Sequence, residues 1–211
     1  SMSILEQGIT KPVEHQIPII TPFVSDGGLD EITDDDLIWR VIPSEADSAY
    51  SGSMWANVYE LSEMAIVHVD NGFGRSYARM FAEAYGEDNI CGTFAYPANQ
   101  IVFDSEDGSF PQGGFHGGMT VDAGCQNFVI ATGYNQNSQT AALIEELKQN
   151  IYEARIVTSH QIPGPNGAEA FFENVSDESR LAGVVGAKPI AWTSPLQAGF
   201  DSQYLSAYGS D

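Results

Sequence analysis

The residues best able to do chemistry are few and widely spaced. His15, His68, His116 and His160 lie far apart, and none stands in an H-E-x-x-H arrangement. No G-x-S-x-G elbow occurs, and neither Cys91 nor Cys125 has a C-x-x-C partner or sits in a catalytic signature. His116-Gly117-Gly118 resembles part of an oxyanion loop, but no elbow serine accompanies it. Gly72-Phe73-Gly74 occupies the place of a dinucleotide fingerprint. The third small residue that lets strand and helix pack closely is replaced by Tyr77. These patterns point away from an enzyme, and they imply no cofactor and no metal.

The elements that must position any site alternate along the chain. Met64 to Asp70 is a short, nearly continuous apolar run, as expected of a parallel strand buried on both faces. Asn71 to Gly74 is its turn, and Tyr77, Met80, Phe81, Ala84 and Tyr85 then recur at helical spacing until Gly86 closes the helix. Ile90 to Tyr96 is the next strand, stopped by Pro97. Ser44-Glu45-Ala46-Asp47 resembles a capping box, with Ala46, Tyr50, Met54, Val58 and Leu61 expected to face inward. Strands are also predicted over 127–132, 154–158 and 181–185, with a helix facing inward through Leu143, Ile144, Leu147 and Ile151. A last helix carries Phe200, Tyr204 and Tyr208 on one face. This rhythm predicts an α/β fold, a three-layer doubly wound sandwich on a mostly parallel sheet. Residues 103–124 are glycine-rich and aperiodic and are predicted to be a loop.

Ligands of open α/β sheets sit outside the carboxyl ends of the strands, where strand order reverses. Asp70, Asn71, Phe73, Tyr134, Asn135, His160 and Gln161 would therefore share one crevice. That set is rich in amides and rings and poor in paired acids and bases, which suits binding a polar small molecule rather than moving protons. His68, inside an apolar strand, is read as a core residue bonded to backbone.

Charge sets the outer limits. The 211 residues carry 29 acids against 8 basic side chains, a net charge of −21, so a phosphate backbone is repelled and nucleic acid is excluded as a partner. Eight acids between Asp26 and Asp47 face only Arg40; without the D-x-D-x-D-G spacing of a calcium loop they read as a solvated face. No apolar run reaches the roughly 18 residues of a membrane span, and Ser1-Met2-Ser3 does not open a signal peptide. Cys91 and Cys125 are either one disulfide of an oxidising compartment or two small core residues. Both precede strands that flank a common neighbour, a placement that can hold them too far apart to bridge, and the sequence leaves the choice open.

Val13-Glu-His-Gln-Ile-Pro-Ile-Ile-Thr-Pro22, the segment from Leu37 to Gly52 with Arg40 and Pro43-Ser44, the strand and turn from Met64 to Gly74, and Phe200-Asp-Ser-Gln-Tyr-Leu-Ser-Ala-Tyr-Gly209 follow one another in a recognisable order. Together they resemble the type I periplasmic binding proteins of the leucine/isoleucine/valine-binding family, over nearly the whole chain and most weakly through residues 97–125. The resemblance implies two lobes closing on an amino-acid-like or other small polar solute, outside the cytoplasm, with an ABC permease or a receptor as partner. By position it makes Phe23 and Ser25 first-lobe contacts, Phe73 the ring before the turn glycine, and Tyr134 a pocket aromatic. Asp70 and His160 complete the expected lining. The family's acid near His160 and Gln161 is missing here, which points away from α-amino acids.

Compared with the family, the first lobe's opening strands and its closing segment are missing. Residues 1–43 then read as a remnant of that lobe with the crossing segment, and 44–211 as the second lobe. Its uncovered apolar face favours a homodimer. Two rival readings stand beside solute binding: an orphan lobe that only self-associates, and a small flavodoxin-like enzyme using Asp70 or His116.

Overall fold

A computed structural model describes residues 12–22, 24–25, 27, 29, 32–103, 115–132, 136–160, 171–186, 203 and 206. Two short strands come first: β1 (Ile19–Thr21) pairs in parallel with β2 (Ile38–Arg40) as a sheet of their own. Helix α1 (Glu45–Val58) leads to β3 (Met64–Val69), and helix α2 (Gly72–Tyr85) leads to β4 (Ile90–Tyr96). Helix α3 (Gly118–Asp122), β5 (Asn127–Ala131), helix α4 (Asn137–Asn150), β6 (Ile156–Thr158) and β7 (Val184–Gly186) follow. The five later strands form one all-parallel sheet in the order β4-β3-β5-β6-β7. The expected doubly wound α/β sandwich is therefore present. The chain steps outward from β3 to β4, then returns across β3 to β5, so strand order reverses between β3 and β5.

Strand pleat divides the core into two layers. On one side Ala65, Val67, Phe128, Ile130 and Ile156 meet Leu143, Ile144 and Leu147 of α4. On the other, Met64, Ile66, Val129 and Val157 meet Tyr77 and Phe81 of α2 with Ala49 and Ala56 of α1. All six residues of β3 are buried, which explains its unbroken apolar run. His68 lies among them, its Nδ1 3.0 Å from the Val69 carbonyl, as its context predicts.

Local chemistry ends the helices where the sequence indicates. Ser44 caps α1 with a full capping box closed by Asp47. Asn71 Oδ1 caps α2 by accepting from the Gly74 N–H. Gly86 ends α2 at φ 100°, a backbone state that penalises any residue with a Cβ.

Three expectations need correction, and one open alternative is decided. The inward face of α1 is not Ala46, Tyr50, Met54 and Val58. It is the small series Ser48, Ala49, Gly52, Ser53 and Ala56, while Tyr50, Met54 and Val58 are exposed. The reason is spacing between helices: a Cβ on Gly52 would lie 3.3 Å from both the Tyr77 hydroxyl and Val157 Cγ1, so only small residues fit against α2. The glycine-rich stretch is not loop throughout, since Phe103 and Phe115 are buried core residues and 118–122 form α3. Glu45, one of the eight acids read as solvated, is only 2% exposed. Cys91 and Cys125 are bridged, with Cα atoms 5.6 Å apart. Two strand spacings, about 9.6 Å, would separate them in a regular sheet. The register of β4 slips at Met64/Ala65, and Cys91 is the extra residue there. The chain before β5 wraps the start of β3, where the Glu63 carbonyl accepts from Gln126 N and Asn127 N. The helix expected around Phe200, Tyr204 and Tyr208 lies outside the described residues.

Candidate functional site

The carboxyl ends of β3, β5 and β6 converge at the reversal of strand order, and α1 and α2 bring side chains to the same place. Residue identity explains each placement. Ser48 lies on the small-residue face of α1, where its carbonyl accepts from the Tyr77 hydroxyl at 3.5 Å and its own Oγ accepts from the His160 N–H at 3.3 Å. Phe73, in the first turn of α2, has its ring centroid 6.1 Å from that of His160 in an edge-on contact and 6.1 Å from that of Tyr77. Glu45, one turn before Ser48, is tied to Ser25 twice: its N–H donates to the Ser25 carbonyl at 2.8 Å, and Ser25 Oγ donates to its carboxylate at 3.4 Å.

Of the six residues proposed from sequence, Phe73 and His160 are in direct contact. Ser25 joins them through Glu45 and α1. Asp70 follows β3 but is exposed, and its carboxylate is held at 2.5 Å by Arg75. A pair so open to solvent contributes little stability. Phe23 and Tyr134, with Asn135 and Gln161, lie outside the described residues. Sequence reasoning missed Glu45 and Ser48. A signal was available: Glu45, Ser48, Ala49, Gly52, Ser53 and Ala56 recur at helical spacing, so the two polar residues had to share the packed face. Two further hydroxyls, those of Tyr96 at the end of β4 and Thr132 just past β5, are buried without a hydrogen-bond partner, and by register they flank Val69 on its two sides.

The electrostatics favour a neutral ring at His160. Burial holds the His160 imidazole below its ordinary pKa of 6.5, so it is uncharged at neutral pH. Burial also pushes the Tyr77 phenol well above the usual range, so it acts only as a neutral donor. Because the folded pKa of His160 lies below the unfolded one, unfolding takes up a proton between them. The stability held above pH 6.5 is then lost as pH falls through that window. Melting temperatures followed between about pH 5 and 8 should show this loss, and His160→Gln should flatten the upper part of the curve. An unchanged slope in the variant would assign it to other groups. Among the described residues no group of three His, Cys, Asp or Glu could hold a metal ion, and no helix is long and apolar enough to cross a membrane.

No protein-family model matches the chain, and no curated protein does. Solved structures do. The chain matches a leucine-binding protein from Thermotoga maritima with a TM-score of 0.62 at 16% identity, covering 95% of this chain and 53% of that one. A branched-chain amino acid ABC transporter structure from Thermus thermophilus with bound valine matches with a TM-score of 0.64 at 15% identity, over 100% and 51%. An ABC transporter solute-binding protein from Rhodopseudomonas palustris in complex with 3,4-dihydroxybenzoic acid gives 0.63 at 14%, over 96% and 52%. The chain thus spans about half the length of the solved proteins it matches. At these identities the likeness is one of architecture: this chain has the fold of about half of a type I periplasmic binding protein, the α/β frame on which branched-chain amino acid transporters build their solute-binding components.

Proposed function

We propose that residues 44–211 are the ligand-gripping lobe of an extracytoplasmic solute-binding protein, and that residues 1–43 belong to the companion lobe and the crossing between the two. The observation that carries this reading is the meeting of Phe73, His160 and Ser48 beyond the carboxyl ends of the strands, near the reversal of strand order. Such a place binds small molecules in open α/β sheets. The β1–β2 pair forms a sheet of its own, which supports the division into lobes; among the described residues of that segment Ser25 meets Glu45 of α1 and Gly27 lies against Met80 of α2. A parallel two-stranded sheet with Ile20, Trp39 and Val41 exposed is incomplete on physical grounds, because parallel sheets are normally covered on both faces.

The ligand is read as a small polar solute of amino-acid-like size that presents a hydrogen-bond donor. Described groups around the site are the Glu45 carboxylate, which only accepts, hydroxyls that donate or accept, and the Phe73 face, while Arg75 is already engaged by Asp70. The buried acid lies at Glu45 rather than beside His160, so the acid whose absence near 160 pointed away from α-amino acids has a counterpart on α1. An ABC permease or a receptor is the corresponding partner, and the Cys91–Cys125 bridge suits a periplasmic or extracellular location. The chain is read as a binder and not an enzyme.

A thermal-shift screen of amino acids, aromatic acids, amides and amines tests this. A ligand that prefers the folded state raises its stability by about 2.7 kcal/mol at a hundred times its Kd. One chemical class should raise the melting temperature in proportion to concentration, and Phe73→Ala should abolish that response while the unliganded variant still melts cooperatively. No response to any class, from a folded sample, overturns the reading. It would promote a second one, an orphan lobe that self-associates, for which the exposed Ile20, Trp39 and Val41 are the supporting observation.

A further inference from the structure

The β7 edge of the main sheet is built differently from its centre. Strands β3, β5 and β6 are buried almost throughout. From Phe172 to Gly186, a stretch that ends in β7, every residue is exposed or only partly buried. Val175, Leu181, Val184 and Val185 reach the core only at its margin. What fastens this stretch is polar, and most of it comes from one turn of α4. The Glu145 carboxylate accepts from Ser176 N at 2.6 Å, from Ser176 Oγ at 2.7 Å and from Asp177 N at 3.3 Å. Arg180 donates back to the Glu145 carbonyl at 3.1 Å. One turn further on, Lys148 is 3% exposed and its ammonium donates to three carbonyls: Tyr152 at 3.0 Å, Ala154 at 2.5 Å and Ala182 at 2.7 Å. Three donors are all that an ammonium has. Pairing with β6 adds the bond from Thr158 Oγ1 to the Val185 carbonyl at 3.2 Å.

We propose that residues 172–186 form a strap that lifts from α4 and β6 as one unit, with Glu145 and Lys148 as its fastenings, while the rest of the sheet stays folded. Burial of apolar surface is the main term that holds a strand to its sheet, and β7 has little of it. Hydrogen bonds of the strap are replaced by bonds to water when it leaves, so each contributes only modestly to its seating. Regions with few buried apolar contacts open at a free energy below that of global unfolding. Phe171, buried in the core layer, marks where the strap begins. Its seat is preformed. Two of the three Lys148 bonds go to Tyr152 and Ala154, which lie before β6 and outside the strap, so the ammonium stays in place when Ala182 departs and can receive it again. The strap covers the edge of β6, where Ile156 and Val157 are fully buried. A bare strand edge presents unpaired backbone groups that recruit other chains, so the strap serves as a removable guard on that edge. It contains none of the residues placed at the solute site, and the inference stands apart from the solute-binding reading.

Native-state hydrogen exchange of the full chain, read by mass spectrometry, gives the test. Amides of β7 should exchange at least roughly a hundredfold faster than those of β3, at a rate that low denaturant barely changes, as a local opening requires. Glu145→Ala separates a unit from a set of independent contacts. Its carboxylate touches only Ser176 and Asp177 in the strap, yet exchange in β7 should quicken about tenfold as well, with β3 and β5 unchanged. Lys148→Met removes the second fastening and should act in the same direction; if that variant fails to fold, Glu145→Ala carries the test. Exchange of β7 as slow as that of β3 overturns the proposal, because the strand would then open only with the whole fold. So does a Glu145→Ala effect confined to residues 176–180, which would make the contacts independent. Each outcome leaves the thermal-shift response to solute unaffected, so the two readings fail separately.

Discussion

Reducing the Cys91–Cys125 bridge should lower the melting temperature by roughly 8–15 °C. The bridge joins positions 34 apart in sequence, and closing a loop of that length removes enough unfolded-chain entropy to stabilise the fold by about 3.8 kcal/mol at 25 °C. In a protein of this size each kilocalorie moves the midpoint by roughly 2–4 °C. Cys125 is only 1% exposed, within the aromatic layer that includes Phe115 and Phe128, whereas Cys91 is only partly buried and is the sulfur open to a reductant. A thermal melt with and without dithiothreitol measures the effect, and the Cys91→Ala/Cys125→Ala double variant should melt low and ignore the reductant. Because the bridge sits at the amino ends of the strands, the solute response of the reduced protein should survive below its lowered midpoint. A reductant-insensitive midpoint in the parent protein would mean that the bridge does not form in solution.

Adding a single methyl group at Gly74 should cost about 3 kcal/mol, near the upper end for an overpacked site. A Cβ built there falls 2.0 Å from the Val69 carbonyl oxygen. Backbone at that point is the junction of β3 and α2 and cannot swing aside as a flexible side chain would. Gly74 also donates its N–H to the Asn71 cap, so moving it uncaps the helix. Gly74→Ala should therefore lower the denaturation midpoint and displace Phe73 from His160, weakening any solute response more than stability alone requires. Gly72→Ala is the control, because Gly72 is exposed at the first position of α2. Equal behaviour of the two variants would refute the close-approach argument.

Much of this architecture is legible in the sequence because its signals are local. The unbroken apolar run of β3, the capping box at Ser44 and the helical spacing of Tyr77, Phe81 and Tyr85 each depend on residues within two turns of one another. Gly72-Phe73-Gly74 is instructive in a different way. Tyr77 departs from the dinucleotide fingerprint, yet a glycine of close approach does exist in this turn, at Gly74 rather than three residues later. The face of α1 was misread for a physical reason. Size and apolarity normally mark the buried side of a helix, but a helix pressed closely on a neighbour buries its smallest residues and leaves its large ones outside.

By itself the sequence determined the alternation of strands and helices and the parallel character of the sheet, because burial on two faces and helical period are written in adjacent residues. The ordered resemblance of four segments to the periplasmic binding proteins was also present in the sequence. Tertiary structure alone decided three things: that Glu45 is withdrawn from the acidic run and set beside Ser25, that Ser48 receives His160 from 112 residues away, and that a slip in β4 brings Cys91 to Cys125. Each depends on a distance between elements distant in the chain, and such distances are fixed only when helices and strands pack against one another.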